Sequence, residues 1–224
     1  SNPTASGTRP MIVIDSVSKK FGPVWALQDM SLEFKAGDRI AIVGTNGSGK
    51  TTLLRSICGL LKFDGHILLS GFDVAKTPQL ALANVAYMPQ IAPPLEAPVH
   101  ELVQAYCGLR GKSAVACAER SLRLGLDLNV VGRTRVRDLS GGMKQKLLAS
   151  LALTAEAPIL ICDEPTANLD PAAREVFFSE VQTRSPDSVL ILCSHRVDEV
   201  RHLVRRVVQM ADGKVAGDTR MEAP

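Results

Sequence analysis

The fold is decided by the stretch RIAIVGTNGSGKTTL, residues 39–53. Its first five residues form an apolar run typical of a buried strand, and a glycine-rich turn leads from there into a helix-forming segment. Residues 44–51 fit the pattern G-x-x-x-x-G-K-[ST], in which glycines let the backbone wrap around phosphates with its N–H groups pointing at the negative charge. The stretch therefore predicts a phosphate-binding loop in an α/β fold. The residues of this stretch expected to bind nucleotide are Gly44, Thr45, Asn46, Gly47, Ser48, Gly49, Lys50, Thr51 and Thr52.

Two side chains of this loop carry specific expectations. The Lys50 ammonium is expected to reach the β- and γ-phosphates, and the Thr51 hydroxyl is expected to bind Mg²⁺. Loops of this kind occur in GTPases, kinases, helicases and many other ATPases. The loop by itself therefore leaves those classes open.

Composition and charge exclude several other classes of protein. Of the 224 residues, 46% are hydrophobic and 22% charged, so the chain has enough apolar material for one large core and is not disordered. Lys and Arg number 26 against 23 Asp and Glu, and the resulting net charge of +3 is too small for the basic surface that nucleic-acid binding needs. We therefore expect no nucleic-acid partner.

A membrane helix needs a run of about 18–20 apolar residues. The sequence contains no such run, so we expect no membrane helix.

Two features indicate a cytoplasmic location. Residues 1–10 are small and polar and lack the apolar segment of a signal peptide, so we expect a flexible leader there. The five cysteines are odd in number and form no C-x-x-C pair, which predicts free buried thiols in a reducing compartment. One domain is expected over residues 11–224, with no regulatory domain after it.

Short apolar runs bounded by turn residues predict the strands. Residues 159–162 and 189–193 are almost wholly apolar, as expected for central strands covered on both faces of a largely parallel sheet. Strands are expected at residues 11–14, 31–34, 39–43, 66–70, 86–88, 159–162, 189–193 and 206–210.

Helix-length segments lie between these strands. Residues 91–136 contain no convincing strand, which predicts a helical subdomain inserted into the α/β core. Helices are expected at residues 50–59, 100–108, 113–124, 141–155, 171–183 and 197–203.

Two carboxylates follow the apolar strand at residues 159–162. Asp163 is expected at the carboxyl end of a central strand, where α/β sheets bind ligands, and can hold Mg²⁺. Glu164 adds a second carboxylate one residue later. Because adjacent strand residues point to opposite sides, we expect Asp163 to bind the metal and Glu164 to polarise or orient the attacking water.

The sequence Leu139-Ser-Gly-Gly-Met-Lys-Gln145 supplies a second anion site. Ser140 is a good N-cap, and Gly141 and Gly142 leave backbone N–H groups uncovered at the start of a helix. This motif lies between the other two, and in the form and order of its motifs the chain resembles the ATP-binding-cassette (ABC) ATPases over essentially its whole length after the leader. The resemblance implies a head-to-tail dimer in which each nucleotide lies between the phosphate loop of one subunit and the 140–142 turn of the other.

Four further residues match the family by type and order. The resemblance implies that Phe21 stacks on adenine and that Gln90 touches Mg²⁺ and water and hinges the helical subdomain. It implies that Asp170 belongs to a loop crossing the dimer interface and that His195 contacts the γ-phosphate. In the complete assignment, the catalytic residues are Lys50, Glu164 and His195, and the metal ligands are Thr51, Gln90 and Asp163.

The resemblance implies a RecA-like P-loop core with an antiparallel β portion and the helical subdomain. The expected function is an ATP-binding and ATP-hydrolysing subunit that drives a permease on another chain, with ATP and Mg²⁺ as cofactors. A homodimer or pseudo-dimer would hold two ATP at its interface. The chain would lie in the cytoplasm, peripheral at the inner face of the cell membrane.

Assignment of the chain to a subgroup of the family rests on two short stretches of sequence. Residues 143–146 and 194–200 look more similar to ATPases of export-type permeases, including drug, heme and copper-processing systems, and Arg196 stands where many importer ATPases have an acidic residue. One alternative is a non-transport ABC ATPase acting on ribosomes or DNA, but such proteins generally carry two cassettes or a long coiled coil. Another is a switch that binds ATP without hydrolysis, which the presence of Glu164 and His195 disfavours.

Overall fold

The computed structural model of the chain describes residues 10–195 and 197–221. The strands over these residues are β1 (Pro10–Phe21), β2 (Val24–Lys35), β3 (Arg39–Val43), β4 (Asp64–Leu69), β5 (Phe72–Asp73), β6 (Val85–Met88), β7 (Ile159–Asp163), β8 (Val189–Cys193), β9 (Arg206–Ala211) and β10 (Lys214–Arg220). The helices are α1 (Lys50–Ile57), α2 (Pro78–Ala83), α3 (Val99–Leu109), α4 (Ala114–Arg123), α5 (Leu128–Val131), α6 (Gly141–Thr154), α7 (Pro171–Gln182) and α8 (Val197–Val200).

The strand before the phosphate loop lies inside a mainly parallel sheet. The strand order is β10-β9-β3-β8-β7-β6, and each neighbouring pair from β9 to β6 runs parallel. Every residue of β7 and β8 is buried, as their unbroken apolar sequences predict. Because the carboxyl ends of parallel strands meet at one edge, the segments that follow β3, β6, β7 and β8 come together there.

The N-terminal strands form a separate antiparallel sheet in the order β2-β1-β4-β5. Both β1 and β2 are 12 residues long, whereas four-residue strands were expected in each place. The pairing of β1 with β2 shifts register at several points between Ile14 and Lys20, and Ser16 adopts a positive φ of 51°. These irregularities break the alternation of apolar and polar residues, so the sequence pattern reveals only part of each strand.

The segment between β6 and α6 is helical, as expected. It contains α3, α4 and α5, and its only pairing among the described residues is an isolated bridge between Pro98 and Arg135. Its apolar cluster includes Val103 and Cys117 and is completed by Leu147 and Leu151 of α6. The opposite side of α6 belongs to the cluster beneath the parallel sheet. Whether residues 91–136 form a distinct subdomain stays a prediction.

Several expected boundaries were wrong. Pro10 belongs to β1 rather than to the leader, whose residues 1–9 lie outside the described residues. The expected helix at 197–203 is α8 followed by a 3₁₀ turn, Arg201–Leu203. Four elements were missed because their sequences give weak periodicity. Three of them are short, β5, α2 and α5, and the fourth is the polar, half-exposed edge strand β10.

Within the described residues, no helix combines the length and the apolar character needed to cross a bilayer.

Candidate functional site

The phosphate loop is confined between two strands, which explains its glycines. Gly44 and Gly49 have φ of 153° and 100°. A Cβ on Gly44 would lie 2.3 Å from the carbonyl oxygen of Met210, and one on Gly49 would lie 2.4 Å from that of Ala26. Both contacts are far shorter than any side chain tolerates, so only glycine lets the loop close against β9 and β2.

Lys50 lies at the start of α1, with its ammonium over the phosphate loop. Its Nζ donates hydrogen bonds to the carbonyl oxygens of Gly44, at 2.8 Å, and Thr45, at 3.0 Å. Gly49 caps α1 without a side-chain hydrogen bond, so no side chain in the described part of the chain caps the N–H groups of the first helical turn. Together the ammonium and these N–H groups form a positively polarised site for phosphate.

Asp163 is suited to bind a cation. Its side chain is buried, and neither carboxylate oxygen has a hydrogen-bond partner within the described part of the chain. Such a group is costly unless a cation or water satisfies it. Lys50, Thr51 and Gln90 line the same cavity of about 520 Å³. These residues therefore fit Mg²⁺, which commonly takes one or two carboxylates and completes its shell with phosphate oxygens and water.

This cavity contains few other candidate metal ligands. Among the described residues, no group of three or more His, Cys, Asp or Glu side chains is arranged to hold a metal ion. Of the two buried carboxylates that line the cavity, Glu164 is already bound by His195, so Asp163 and the Thr51 hydroxyl fit a metal that depends on substrate phosphates for the rest of its ligands.

Glu164 is held by His195, the second residue after the neighbouring strand β8. The backbone N of His195 donates to Glu164 Oε1 at 3.0 Å, and its Nδ1 lies 2.8 Å from Oε2. The Glu164 side chain is 11% exposed and that of His195 is 55% exposed. An ionised carboxylate only accepts hydrogen bonds, so the contact with Glu164 requires a proton on Nδ1 of His195.

The reason given for the different roles of Asp163 and Glu164 was wrong in one respect. β7 ends at Asp163, and Glu164 lies beyond the strand with a left-handed φ of 49°. Its backbone N donates to the carbonyl of Cys193 at 2.9 Å. A turn, rather than the alternation of a strand, therefore separates the surroundings of the two carboxylates.

A second cavity, of about 740 Å³, continues from the first. It is lined by Asn46, Gln90 and Glu164, which also line the first cavity, and by His195. The structure thus brings together, at the carboxyl edge of the parallel sheet, all six side chains expected to be catalytic or to bind metal. They are Lys50, Thr51, Gln90, Asp163, Glu164 and His195.

The expected signature residues lie outside both cavities. Ser140 caps α6 by accepting a hydrogen bond from the backbone N of Met143 at 3.2 Å. Ser140 and Gly141 are exposed, and a Cβ on Gly141 would meet nothing within 4 Å. Gly142 is more confined, because a Cβ there would lie 3.2 Å from the Asn168 carbonyl oxygen. The turn therefore presents an open helix start to the surface.

Phe21 and Asp170 also lie outside the two cavities. Phe21 is 49% exposed, and the ammonium of Lys19 lies 5.0 Å from its ring centroid. Asp170 caps α7 and forms an ion pair of 2.6 Å with Lys146. This cation is the first cause of the lowered pKa of Asp170, and the hydrogen bond from Ala173 is the next. Their contacts to nucleotide stay predictions.

The cysteines play no part in the expected chemistry. All five are free and buried, as predicted. Burial raises the pKa of Cys162 to about 12 and that of Cys117 to about 11. Burial is also the main cause of the raised pKa of Cys193, with the carboxylates of Asp163 and Glu164 adding to it. The thiols therefore stay protonated at neutral pH.

Sequence reasoning missed the residues that reach the site from other elements. Ala26 of β2 lines the first cavity, and Gln209 and Met210 of β9 line the second. No motif marks them, because strand pairing brings them there from positions distant in the chain. A further cavity, of about 500 Å³, lies at the amino ends of β7 and β8, and its lining contains none of the expected site residues.

Known proteins resemble this chain over most of its length. The family model described as "ABC transporter" matches residues 27–167. The chain is 34% identical over 215 residues to the "Phospholipid-transporting ATPase ABCA7" of Homo sapiens, covering 93% of this chain and 10% of that protein. It is 34% identical over 226 residues to the "Aliphatic sulfonates import ATP-binding protein SsuB 2" of Pseudomonas savastanoi pv. phaseolicola, covering 98% and 78%.

Solved structures show the same fold. The structure described as "Dimeric Structure of MJ0796, a Bacterial ABC Transporter Cassette" superposes with a TM-score of 0.81 at 23% identity, covering 96% of this chain and 100% of that one.

The chain spans less than half the length of several curated relatives that it matches.

Proposed function

The chain belongs to the ABC transporter family, and on that premise we propose that it binds and hydrolyses ATP to drive a membrane transporter. The observation that carries this proposal is the carboxyl edge of the parallel sheet. There Lys50 lies over a phosphate loop, Asp163 presents a buried carboxylate that has no hydrogen-bond partner among residues 10–195 and 197–221, and His195 holds Glu164. Charge neutralisation and an oriented carboxylate are what phosphoryl transfer to water requires.

Each residue of the edge has a defined task in this proposal. The N–H groups at the start of α1 and the Lys50 ammonium bind the β- and γ-phosphates. Asp163, Thr51 and Gln90 would hold Mg²⁺, which would neutralise charge on the phosphates when bound. The Glu164 carboxylate accepts a hydrogen bond from the attacking water and orients it. His195 keeps Glu164 in place and, from the lining of the second cavity, contacts the γ-phosphate.

The nucleotide is shared between two copies of the chain in this proposal. The exposed turn at Ser140 and Gly141 has an uncovered helix start and lies outside the phosphate cavities of its own chain. Such a start binds anions, so a second chain placed head to tail would present it to the γ-phosphate. The dimeric cassette structure with the same fold supports association of two copies. Two ATP would then lie at one interface.

A membrane permease is the proposed partner, on another chain. The relatives are named as transporting or importing proteins, which supports a role in transport. They include both an import protein and a phospholipid-transporting ATPase, so they do not distinguish the export-type assignment, which stays a prediction. The proposed location is the inner face of the cell membrane, reached through the permease.

The experiment that tests this proposal compares turnover of Mg·ATP by matched glutamate variants. Glu164→Gln keeps the size of the side chain but removes its charge, so kcat should fall by about 10²–10⁴-fold, the usual contribution of a positioned acid–base group. Glu175→Gln, at an exposed position of α7, should match the wild-type chain. ATP binding without turnover in the wild-type chain would instead favour a switch that does not hydrolyse ATP.

A further inference from the structure

The segments after β7 and β8 are joined at a second place besides the pair Glu164 and His195. β7 and β8 are paired along their whole length, so the two segments leave the sheet side by side. The segment after β7 is a turn that contains Thr166. The segment after β8 continues into α8, which contains Glu199.

Glu199 accepts hydrogen bonds from two elements. The Thr166 hydroxyl donates to its Oε2 at 3.2 Å, and the Arg174 Nη1 donates to its Oε1 at 3.2 Å. The side chains of Arg174 and Glu199 are 26% and 22% exposed, and Thr166 is buried. Hydrogen bonds to charged groups are stronger than neutral ones, and more so where water is partly excluded. Glu199 therefore fastens α8 to the turn and to α7.

The contact of Glu199 with Thr166 lies within a few residues of the pair Glu164 and His195 on both segments, the one after β7 and the one after β8. Thr166 is two residues after Glu164, in a turn closed by the hydrogen bond from Ala167 N to the Glu164 carbonyl at 3.3 Å. Glu199 is four residues after His195, which holds both oxygens of Glu164. The direction of the Glu164 carboxylate therefore depends on how the two segments lie against each other.

We propose that Glu199 is a positioning residue. By binding Thr166 and Arg174, it keeps His195 and the Glu164 carboxylate in a fixed position relative to each other. The inference rests on the proposed function, since it concerns the residue that orients water there. It assigns no contact with ATP to Glu199. A small displacement of a reacting group can cost about 10²-fold in rate, so a contact of this kind has a measurable effect on turnover.

The kinetic test separates kcat from KM. Lys50 and the phosphate loop lie on other elements, so loss of Glu199 should leave the KM for ATP unchanged. In Glu199→Ala, kcat should fall by about 10–100-fold. Glu199→Gln keeps the length and an acceptor for the Thr166 hydroxyl, so it should lose less. Asp198→Asn removes a charge from the same helix at an exposed position and should behave as the wild-type chain.

A double-mutant cycle tests whether Glu199 acts through Thr166. Thr166→Val keeps the shape of the side chain and removes the hydroxyl. If the two residues act as one contact, Glu199→Ala combined with Thr166→Val should lose no more activity than the larger single loss. Independent, multiplying losses would overturn the proposal. So would a wild-type kcat in Glu199→Ala, or a raised KM with unchanged kcat.

Hydrogen exchange gives a reading that does not need turnover. In Glu199→Ala, amides of residues 164–170 and 194–200 should exchange at least about tenfold faster, while those of the phosphate loop, residues 44–52, stay unchanged. Equal exchange in Glu199→Ala and the wild-type chain would overturn the inference. A wild-type chain that fails to hydrolyse Mg·ATP would contradict the proposed function instead, and the exchange experiment would still decide the role of Glu199.

Discussion

Asp163 and Glu164 are neighbours in the chain with different surroundings. Asp163 ends β7 with both carboxylate oxygens buried and unpaired within the described residues, whereas both oxygens of Glu164 are bound by His195. A buried unpaired carboxylate attracts a cation. A carboxylate already held in one direction is suited to orient a water molecule. Neutralising the two should therefore have different consequences.

Asp163→Asn should weaken the metal-dependent part of ATP binding as well as turnover, because the amide does not offer the charge that a divalent cation prefers. Glu164→Gln should keep its ATP affinity and lose only kcat. Titrations of ATP with and without Mg²⁺, together with turnover numbers for both variants, measure the difference. Equal losses of ATP affinity in the two variants would contradict this division of roles.

At the scale of elements, α6 joins the helical segment to the nucleotide-binding core. Leu147 and Leu151 complete the cluster of α3, α4 and α5, while Ala149 and Leu153 face the cluster beneath the parallel sheet. The same helix begins at the signature turn, and the Gln145 Nε2 donates to the carbonyl of Pro165 at 3.2 Å. Packing of α6 therefore fixes the signature turn relative to the Glu164 segment.

Leu147→Ala should lower the free energy of unfolding by about 2–5 kcal/mol, because it removes buried methyl groups and leaves a cavity. Leu147 is 1% exposed, whereas Leu122 on α4 is 59% exposed, so Leu122→Ala is the matched control and should change stability by less than about 0.5 kcal/mol. Urea unfolding followed by circular dichroism measures both. Equal effects of the two substitutions would mean that α6 is not packed as the structure shows.

At the scale of the whole molecule, the exposed signature turn predicts association driven by ATP. The Glu164→Gln chain should dimerise in Mg·ATP, because the γ-phosphate would join Lys50 of one copy to Ser140 of the other and slow turnover would preserve the complex. Light scattering at several protein concentrations measures the mass. Lys50→Ala is the control and should stay monomeric, because it lacks the cation that binds the same phosphate.

A monomer of Glu164→Gln at high protein concentration and saturating Mg·ATP would contradict the shared site. Dimers that form equally well without nucleotide would show association through another surface. Both outcomes leave the fold and the phosphate loop of the single chain unaffected, so the experiment addresses the assembly alone.

The sequence by itself determined the phosphate loop, the two buried central strands and the carboxylate at the end of β7. These features are local: a glycine pattern, an unbroken apolar run and the residue that follows it are each contained in about ten consecutive positions. Composition and charge also predict a single domain and no nucleic-acid partner, and both stay predictions.

Three features are visible only in the tertiary structure. They are the lengths of β1 and β2, the close approach of Gly49 to Ala26, and the backbone turn that directs Glu164 toward His195. Each of these depends on pairing between positions distant in the chain, which a local pattern does not contain. Glu199 is the clearest case, because nothing in the surrounding sequence distinguishes this acidic residue from the exposed Asp198 beside it. Its partners Thr166 and Arg174 reach it only because β7 and β8 lie side by side, so the fold, and not the sequence pattern, selects this glutamate.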